Sequence, residues 1–337
     1  MIKRFSVLAL SLVFILFSSS CAAKKKNFSA TTLDYFDTVT TVSGYFNSQN
    51  EFDEVYRKIE EELEIYHKLL DIYNDYDKIN NIKTINDNAG LKAVEVDSRI
   101  IELLEFSKEA YTLTNGNVNV CMGSVLKIWH DARQNKVVPA SERLKNANEY
   151  ISIDNLVIDK QKSTVFLKKK GCSLDVGAVA KGFVCEQLKP LLKEAGFENG
   201  IINIGGNVMT VGKKAGEEDF SVGIKNPMNL SENIYVASVS DLSVVTSGDY
   251  ERYFEVDSKR YNHIISPQTL MPADINKSVT VICDDAAKAD VLSTSLFICG
   301  FDEGIQKVNS IKNCEACIID NDGVSHFSSG FQKYIKK

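Results

Sequence analysis

Apolar positions recur along the chain with two periods, and the switch between them marks its elements. Residues 38–45 (TVTTVSGY) carry the β-branched and aromatic content of a strand. Just beyond, Phe52, Val55, Ile59, Leu63, Tyr66 and Leu70 fall three or four apart, the stripe of a helix that buries one face. A second helix is predicted over 100–113, ending at Thr114-Asn115-Gly116, since Asn and Gly tolerate the left-handed conformation that closes a helix. Residues 156–168 alternate like the edge of a sheet. Residues 174–182 lead into a helical face of Val184, Leu188, Leu191 and Leu192 that stops at Gly196, with Pro190 predicting a kink or early break. Strands are predicted at 201–204, running into Gly205-Gly206, and at 220–224; 235–240 and 242–246 read as a hairpin-like pair. Residues 278–283 predict a strand, and 286–298 a helix capped by Gly300. Strands and helices mix without regular βαβ alternation and without repeat or low-complexity linker, so the expected fold is one continuous α+β body.

The first residues follow a different logic. Lys3 and Arg4 precede an apolar run over 5–17, and Ser18, Ser19 and Ser20 stand directly before Cys21. This is the order of an export signal of the lipoprotein type. The run is about thirteen residues, short of the roughly twenty that span a bilayer. Residues 1–20 are therefore expected to be a signal peptide cleaved before a lipidated Cys21, with 21–30, including Lys24, Lys25 and Lys26, as a hydrophilic tether. The expected location is the cell envelope, lipid-anchored to a membrane and facing outside the cytoplasm; Ala22 leaves the choice of membrane open.

A net charge of -6 without a basic stripe gives nucleic acid little to bind. Of the eight cysteines, those at 121, 172, 185, 283, 299, 314 and 317 are odd in number and lie mostly in apolar runs, so no disulfide framework is expected. Cys314 and Cys317 form a lone CxxC, with neither a second pair nor a nearby His, which favours a buried or optionally bridged pair over a redox or metal centre.

Three segments carry candidate chemistry. Asp175-Val-Gly-Ala-Val-Ala-Lys181-Gly182 joins an apparent strand to a helix, where glycines and free N–H groups let a phosphate approach. It is no Walker A loop, because Lys181 precedes Gly182 and Phe183 follows; the alternative is a tight packing turn. On the later helix Asp290, Ser293 and Thr294 share one face, and a carboxylate, a hydroxyl and a backbone carbonyl suit Mg²⁺; the alternative is a solvated polar face. Residues 246–254 and 261–267 gather hydroxyls, acids and His263, a residue suited to proton transfer as well as to structural hydrogen bonding.

Taken in order, Phe36-Asp-Thr38, Thr114-Asn-Gly-Asn-Val-Asn119, residues 124–129, Asp175 to Gly182, Asn203-Ile-Gly-Gly206, Val222-Gly-Ile-Lys-Asn-Pro227, Thr246-Ser-Gly-Asp-Tyr-Glu-Arg252, His263-Ile-Ile-Ser-Pro267 and Ala289-Asp-Val-Leu-Ser-Thr294 resemble the ApbE-like flavin transferases, or FAD:protein FMN transferases, over nearly the whole chain after Cys21. The resemblance implies a catalytic domain over 31–335, with two lobes and the flavin site in the cleft between them. It implies Mg²⁺-dependent transfer of FMN from FAD to a Thr or Ser hydroxyl of an exported or membrane-bound acceptor, with AMP leaving. Acceptor subunits of membrane redox complexes are the implied partners.

Carried over position by position, Asp290, Thr294, the Ala178 carbonyl and Ser293, where some members have Asp, match metal ligands. Phe36, in place of the usual Met, Asn117, Val118, Asn119, in place of a common Asp, Asp175, Lys181 and Ile265 match FAD contacts. Tyr73 falls near a position whose aromatic stacks on the flavin. His263 matches the family His, and with Asp290 completes the expected catalytic pair. Ser266-Pro-Gln-Thr-Leu270 replaces the usual Asp-Pro-x-Thr-Gly. The chain lacks the Asp-Gly-x-Ser/Thr-Gly-Ala-Thr type of target motif, so the acceptor is another chain. Two alternatives use the same cleft: a pyrophosphatase splitting FAD to FMN and AMP, and a non-catalytic flavin-binding lipoprotein.

Overall fold

The computed structural model describes residues 25–336, so the predicted signal, Cys21 and Lys24 lie outside the described residues. Strands β1 (Lys26–Thr32) and β2 (Thr40–Phe46) form an antiparallel hairpin around a loop over 33–39. Helix α1 (Gln49–Leu70) starts at Ser48, whose hydroxyl accepts the Glu51 N–H, and buries the predicted stripe. Then come α2 (Ile82–Asp87), β3 (Val94–Glu95) and α3 (Ser98–Leu113). Past α3, Asn115 (φ 51°) and Gly116 (φ 82°) take the expected left-handed conformation. Helices α4 (Gly123–Asn135) and α5 (Ser141–Asn148) follow. The alternating stretch 156–168 is two strands rather than one: β4 (Leu156–Asp159) and β5 (Thr164–Leu167) pair as a hairpin, and β3 adds to β5. The "strand" expected before the Asp175 loop amounts to a single bridge between Met122 and Ser173.

Helix α6 (Ala180–Glu194) passes through Pro190 without the predicted break. Pro190 lies on the exposed side, while Leu188 and Leu192 on either side are fully buried. Each such Leu contributes about 1.5–3 kcal/mol, enough to offset the roughly 3 kcal/mol that an internal Pro costs. The helix ends, as expected, just ahead of Gly196 at φ 73°.

The remaining elements are β6 (Gly200–Ile204), β7 (Asn207–Val211), β8 (Phe220–Asn226), β9 (Asn229–Val239), β10 (Ser243–Gly248), β11 (Tyr253–Val256), β12 (Lys259–Asn262), β13 (Asn276–Cys283), α7 (Ala286–Ile298), α8 (Phe301–Asn309), β14 (Cys314–Asp320) and β15 (Ser325–Phe327). Eight strands form one antiparallel sheet in the order β1-β2-β6-β7-β10-β13-β14-β15. The predicted pairing of 235–240 with 242–246 does not occur. β9 is already taken by β8, and β10, with Val244 and Val245 both buried, inserts between β7 and β13; Asp241 (φ 52°) turns the chain from one sheet to the other. Gly300 does not cap α7. Cys299 does, and Gly300, at φ -59°, stands at the start of α8.

Three packed regions set the architecture. Helices α1, α3 and α6 cover one half of the sheet through Val42, Ile202, Ile204 and Met209. Helix α7 covers the other half, with Leu292, Leu296 and Phe297 against Val279, Val281 and Ile318. A smaller lobe joins α4 and α5 to the β11–β12 hairpin, where Trp129, Phe254 and Tyr261 pack together, the last two rings 5.4 Å apart. This is the two-lobed α+β arrangement expected. No helix among the described residues is long and apolar enough to cross a membrane. Contrary to the cysteine reading, Cys314 is bonded to Cys283, directly opposite it on β13, and Cys317 is a buried free thiol.

Helices α6 and α7 cross at Gly182. A Cβ there would lie 2.4 Å from the Asp290 Cβ and 2.5 Å from the Ala286 carbonyl oxygen. Gly182→Ala is therefore expected to lower stability by about 1–3 kcal/mol, the usual cost of overpacking a filled contact. Chemical denaturation checks it; unchanged stability would mean that the crossing has slack.

Candidate functional site

Between body and small lobe lies a cleft of about 1090 Å³. Its floor comes from the sheet, the start of α6 and the middle of α7, its far wall from α4 and the β11–β12 hairpin, and its rim from the loops at 33–39 and 71–74. Phe36, Tyr73, Asn117, Val118, Asn119, Asp175, Ala178, Lys181, His263, Ile265, Asp290 and Thr294, scattered over some 260 positions of sequence, all line this one space. Ser293 does not. It is fully buried, its hydroxyl donating to the Asp290 carbonyl at 2.9 Å and meeting the Ser247 hydroxyl at 2.8 Å, because successive positions on a helix point in different directions.

The centre of the floor is Asp290, only 4% exposed. Its Oδ2 accepts the Gly182 N–H at 2.8 Å. Gly182 is the third residue of α6, so its N–H has no partner within the helix, and the Ala178 carbonyl, just ahead of the Val179 N-cap, has no backbone partner among the described residues. One Asp290 oxygen, the Thr294 hydroxyl and the Ala178 carbonyl thus remain to face the cleft, a hard-oxygen set that fits Mg²⁺ completed by water or phosphate oxygens. The described residues hold no group of three or more His, Cys, Asp or Glu that would form a multi-acid cage. Burial raises the Asp290 pKa, with Lys181, the Gly182 N–H and Asn207 opposing that rise. A cation would tip the balance further toward the carboxylate.

The other predicted positions divide by what their side chains already do. Asn119 donates to the Ile151 carbonyl and accepts the Cys121 N–H, and Asn117 accepts from Gln268 while its amide meets Cys299, so both present their backbone to the cleft. Asp175 accepts the Gly177 N–H and shapes the turn before α6; burial raises its pKa. Tyr73 stands 56% exposed at the rim with its ring 5.7 Å from His130, a face open to a planar ligand. Phe36 and Asp37 are both left-handed (φ 56° and 50°), a costly backbone held by the His67 Nδ1 accepting the Phe36 N–H.

His263 is held by its Nδ1–H donating to the Arg252 carbonyl at 3.2 Å; since a carbonyl only accepts, the Nε2 lone pair is left free. The ring keeps an open face to the cleft, yet enclosure by the walls, then the charges of Lys181 and Arg252, push its pKa down to about 4.

Asn207, Arg133 and Arg252 also line the cleft, and nothing in the sequence alone singles them out as site residues. Asn207 follows the Asn203–Gly206 block and faces Asp290 from β7. Arg252 ends the Thr246–Arg252 motif, but only the fold shows that it lines the cleft.

The same fold occurs in the ApbE protein from Thermotoga maritima (TM-score 0.84, 26% identity, 93% of this chain and 100% of that one) and in the flavin transferase ApbE from Vibrio cholerae (0.79, 21% identity, 92% and 99%). In sequence the chain is 31% identical over 264 residues to an FAD:protein FMN transferase of Treponema pallidum (strain Nichols), covering 74% of this chain and 73% of that protein. It is 30% identical over 258 residues to the FAD:protein FMN transferase of Klebsiella pneumoniae (strain 342), covering 75% and 80%. The class is thus a transferase, as the resemblance implied. The chain belongs to the ApbE family, whose model matches residues 36–318.

A histidine with a lowered pKa stays neutral as pH falls through 6.5 and gains its proton only near 4. An NMR titration of the four histidines, with His263→Asn to assign the signal, should place the His263 midpoint below 5. A midpoint between 6 and 7 would show that walls and cations do not control the ring.

Proposed function

We propose that this protein transfers the FMN half of FAD to a Thr or Ser hydroxyl of an acceptor protein, releasing AMP. The observation that carries this reading is the meeting, in one cleft of an ApbE-family chain, of a free imidazole Nε2 with the hard-oxygen set of Asp290, Thr294 and Ala178. The acceptor oxygen forms a bond to the FMN-side phosphorus, and the bond from that phosphorus to the bridging oxygen breaks, so that oxygen leaves on AMP. His263 Nε2 takes the hydroxyl proton. Lys181, at the start of α6, offsets charge on the diphosphate, aided by the helix N-terminus. Asp290, Thr294 and the Ala178 carbonyl hold Mg²⁺, which when bound supplies positive charge to the diphosphate oxygens. Phe36 and Tyr73 offer rings to the flavin, and the backbone of 117–119 with Ile265 completes the FAD contacts.

In this proposal the enzyme works in the cell envelope, tethered to a membrane by a lipid on Cys21, and its acceptors are subunits of membrane redox complexes. The Cys283–Cys314 bond suits an oxidising compartment of that kind. A tether keeps the enzyme at the surface where such acceptors lie and raises its effective concentration there.

Asp290→Ala should remain folded yet label a co-expressed acceptor about 100-fold more weakly, read as in-gel flavin fluorescence, the order of loss when transition-state charge loses a stabilising group. A chelator should abolish labelling by the unaltered protein. Undiminished labelling by the variant would remove Asp290 from the reaction. Rapid AMP release from FAD without acceptor would favour hydrolysis instead.

A further inference from the structure

Three long cations meet around His263: Lys181 from α6, Arg133 from α4 and Arg252 from the segment joining β10 to β11. Among the described residues none of them has a carboxylate within 4.0 Å, whereas the other four described arginines, Arg57, Arg99, Arg143 and Arg260, each pair with an acid. Positive side chains gathered in a cleft repel one another and are relieved by an anion.

Arg252 differs from the other two in its connections. Its Nη2 donates to the Asp37 carbonyl at 3.2 Å, reaching the rim loop that carries Phe36. Its own carbonyl accepts the His263 Nδ1–H at 3.2 Å, which keeps Nε2 unprotonated. A guanidinium has five N–H donors in a planar fork suited to phosphate oxygens, and the rim contact uses one.

We infer that Arg252 is a second diphosphate-binding residue, joining Lys181 on the phosphate oxygens of the dinucleotide, while its carbonyl sets the tautomer of His263. One residue thereby couples the charge placed on the diphosphate to the orientation of the imidazole beside it. The binding half of the inference stands on the cleft alone; the catalytic half rests on the flavin-transfer reading.

The test uses the full chain with Arg252→Gln and Arg252→Lys, and FAD, ADP and riboflavin as probes. Riboflavin carries no phosphate, so it reports the shape of the cleft without its charge. Calorimetry should show Arg252→Gln binding FAD and ADP about 10-fold to 100-fold more weakly, the range for a lost hydrogen bond to a charged group, with riboflavin unchanged. Arg252→Lys should recover part of the loss, because it restores the charge without the fork. In flavin transfer, kcat should fall by a larger factor than KM rises. The His263 midpoint should move upward in Arg252→Gln and not in Arg252→Lys, since Lys181 and Arg133 remain and only the third cation is lost. Equal weakening of all three ligands would make Arg252 a support for the rim loop and overturn the inference, as would unchanged binding of FAD and ADP. If the unaltered protein binds FAD yet labels no acceptor, a diphosphate-specific loss in Arg252→Gln still upholds the binding role, and the failure then lies with the transfer reading.

Discussion

The cleft depends on one hydrogen bond, from the Gly182 N–H to the Asp290 carboxylate, at the point where two helices cross. A carboxylate that is 4% exposed survives burial only if it is compensated. Here the compensation is local: the first turn of α6 supplies an N–H and a lysine, and β7 supplies the Asn207 amide. The helices can approach that closely because position 182 has no side chain. The same bond satisfies a first-turn N–H that has no partner within α6, and Ala178, just ahead of that turn, lines the same cleft. Packing and chemistry share one contact.

Asymmetry between the two walls follows. Helix α7 is buried nearly all round and fixes Asp290 and Thr294 as rigidly as the core does. The opposite wall is the small lobe, whose own aromatic core is separate from that of the body. Its His263 and Arg252 lie on connecting segments beside the β11–β12 hairpin. An ion pair from Lys277 of β13 to the buried Asp249, with Arg260 of β12 at 3.8 Å, ties that hairpin to the sheet. Acidic oxygens thus come from the rigid side and basic groups largely from the side held by fewer contacts.

Much of this is legible in the sequence. The stripe of α1 and the ends of α3 and α6 follow from local spacing and from Gly and Asn at their closing turns. The ordered blocks from Phe36 to Thr294 pointed to the family, and the fold brings nearly all their chosen residues to one cleft. What escaped was non-local. Nothing near residues 235–246 says that β9 already has a partner in β8, and nothing near Pro190 says that two buried leucines hold the helix through it. Cys314 looked paired with Cys317 by spacing, while its partner is set by the β13–β14 register. Ser293 fits a ligand pattern read as a row of letters, but the helical turn sends its hydroxyl backward into the core. Arg252 stood in plain sight in its motif, and only the fold shows which way its side chain runs.

The bond between Cys283 and Cys314 closes a covalent ring of chain, 31 positions around, and α7 and α8 lie wholly inside it. The helix that presents Asp290 and Thr294 is consequently the best-tethered part of the chain even when unfolded. Closing a loop of this size removes conformational freedom equivalent to about 3–4 kcal/mol from the disordered state. A single cut anywhere within the ring would open the backbone but leave the two fragments joined through the Cys283–Cys314 bond.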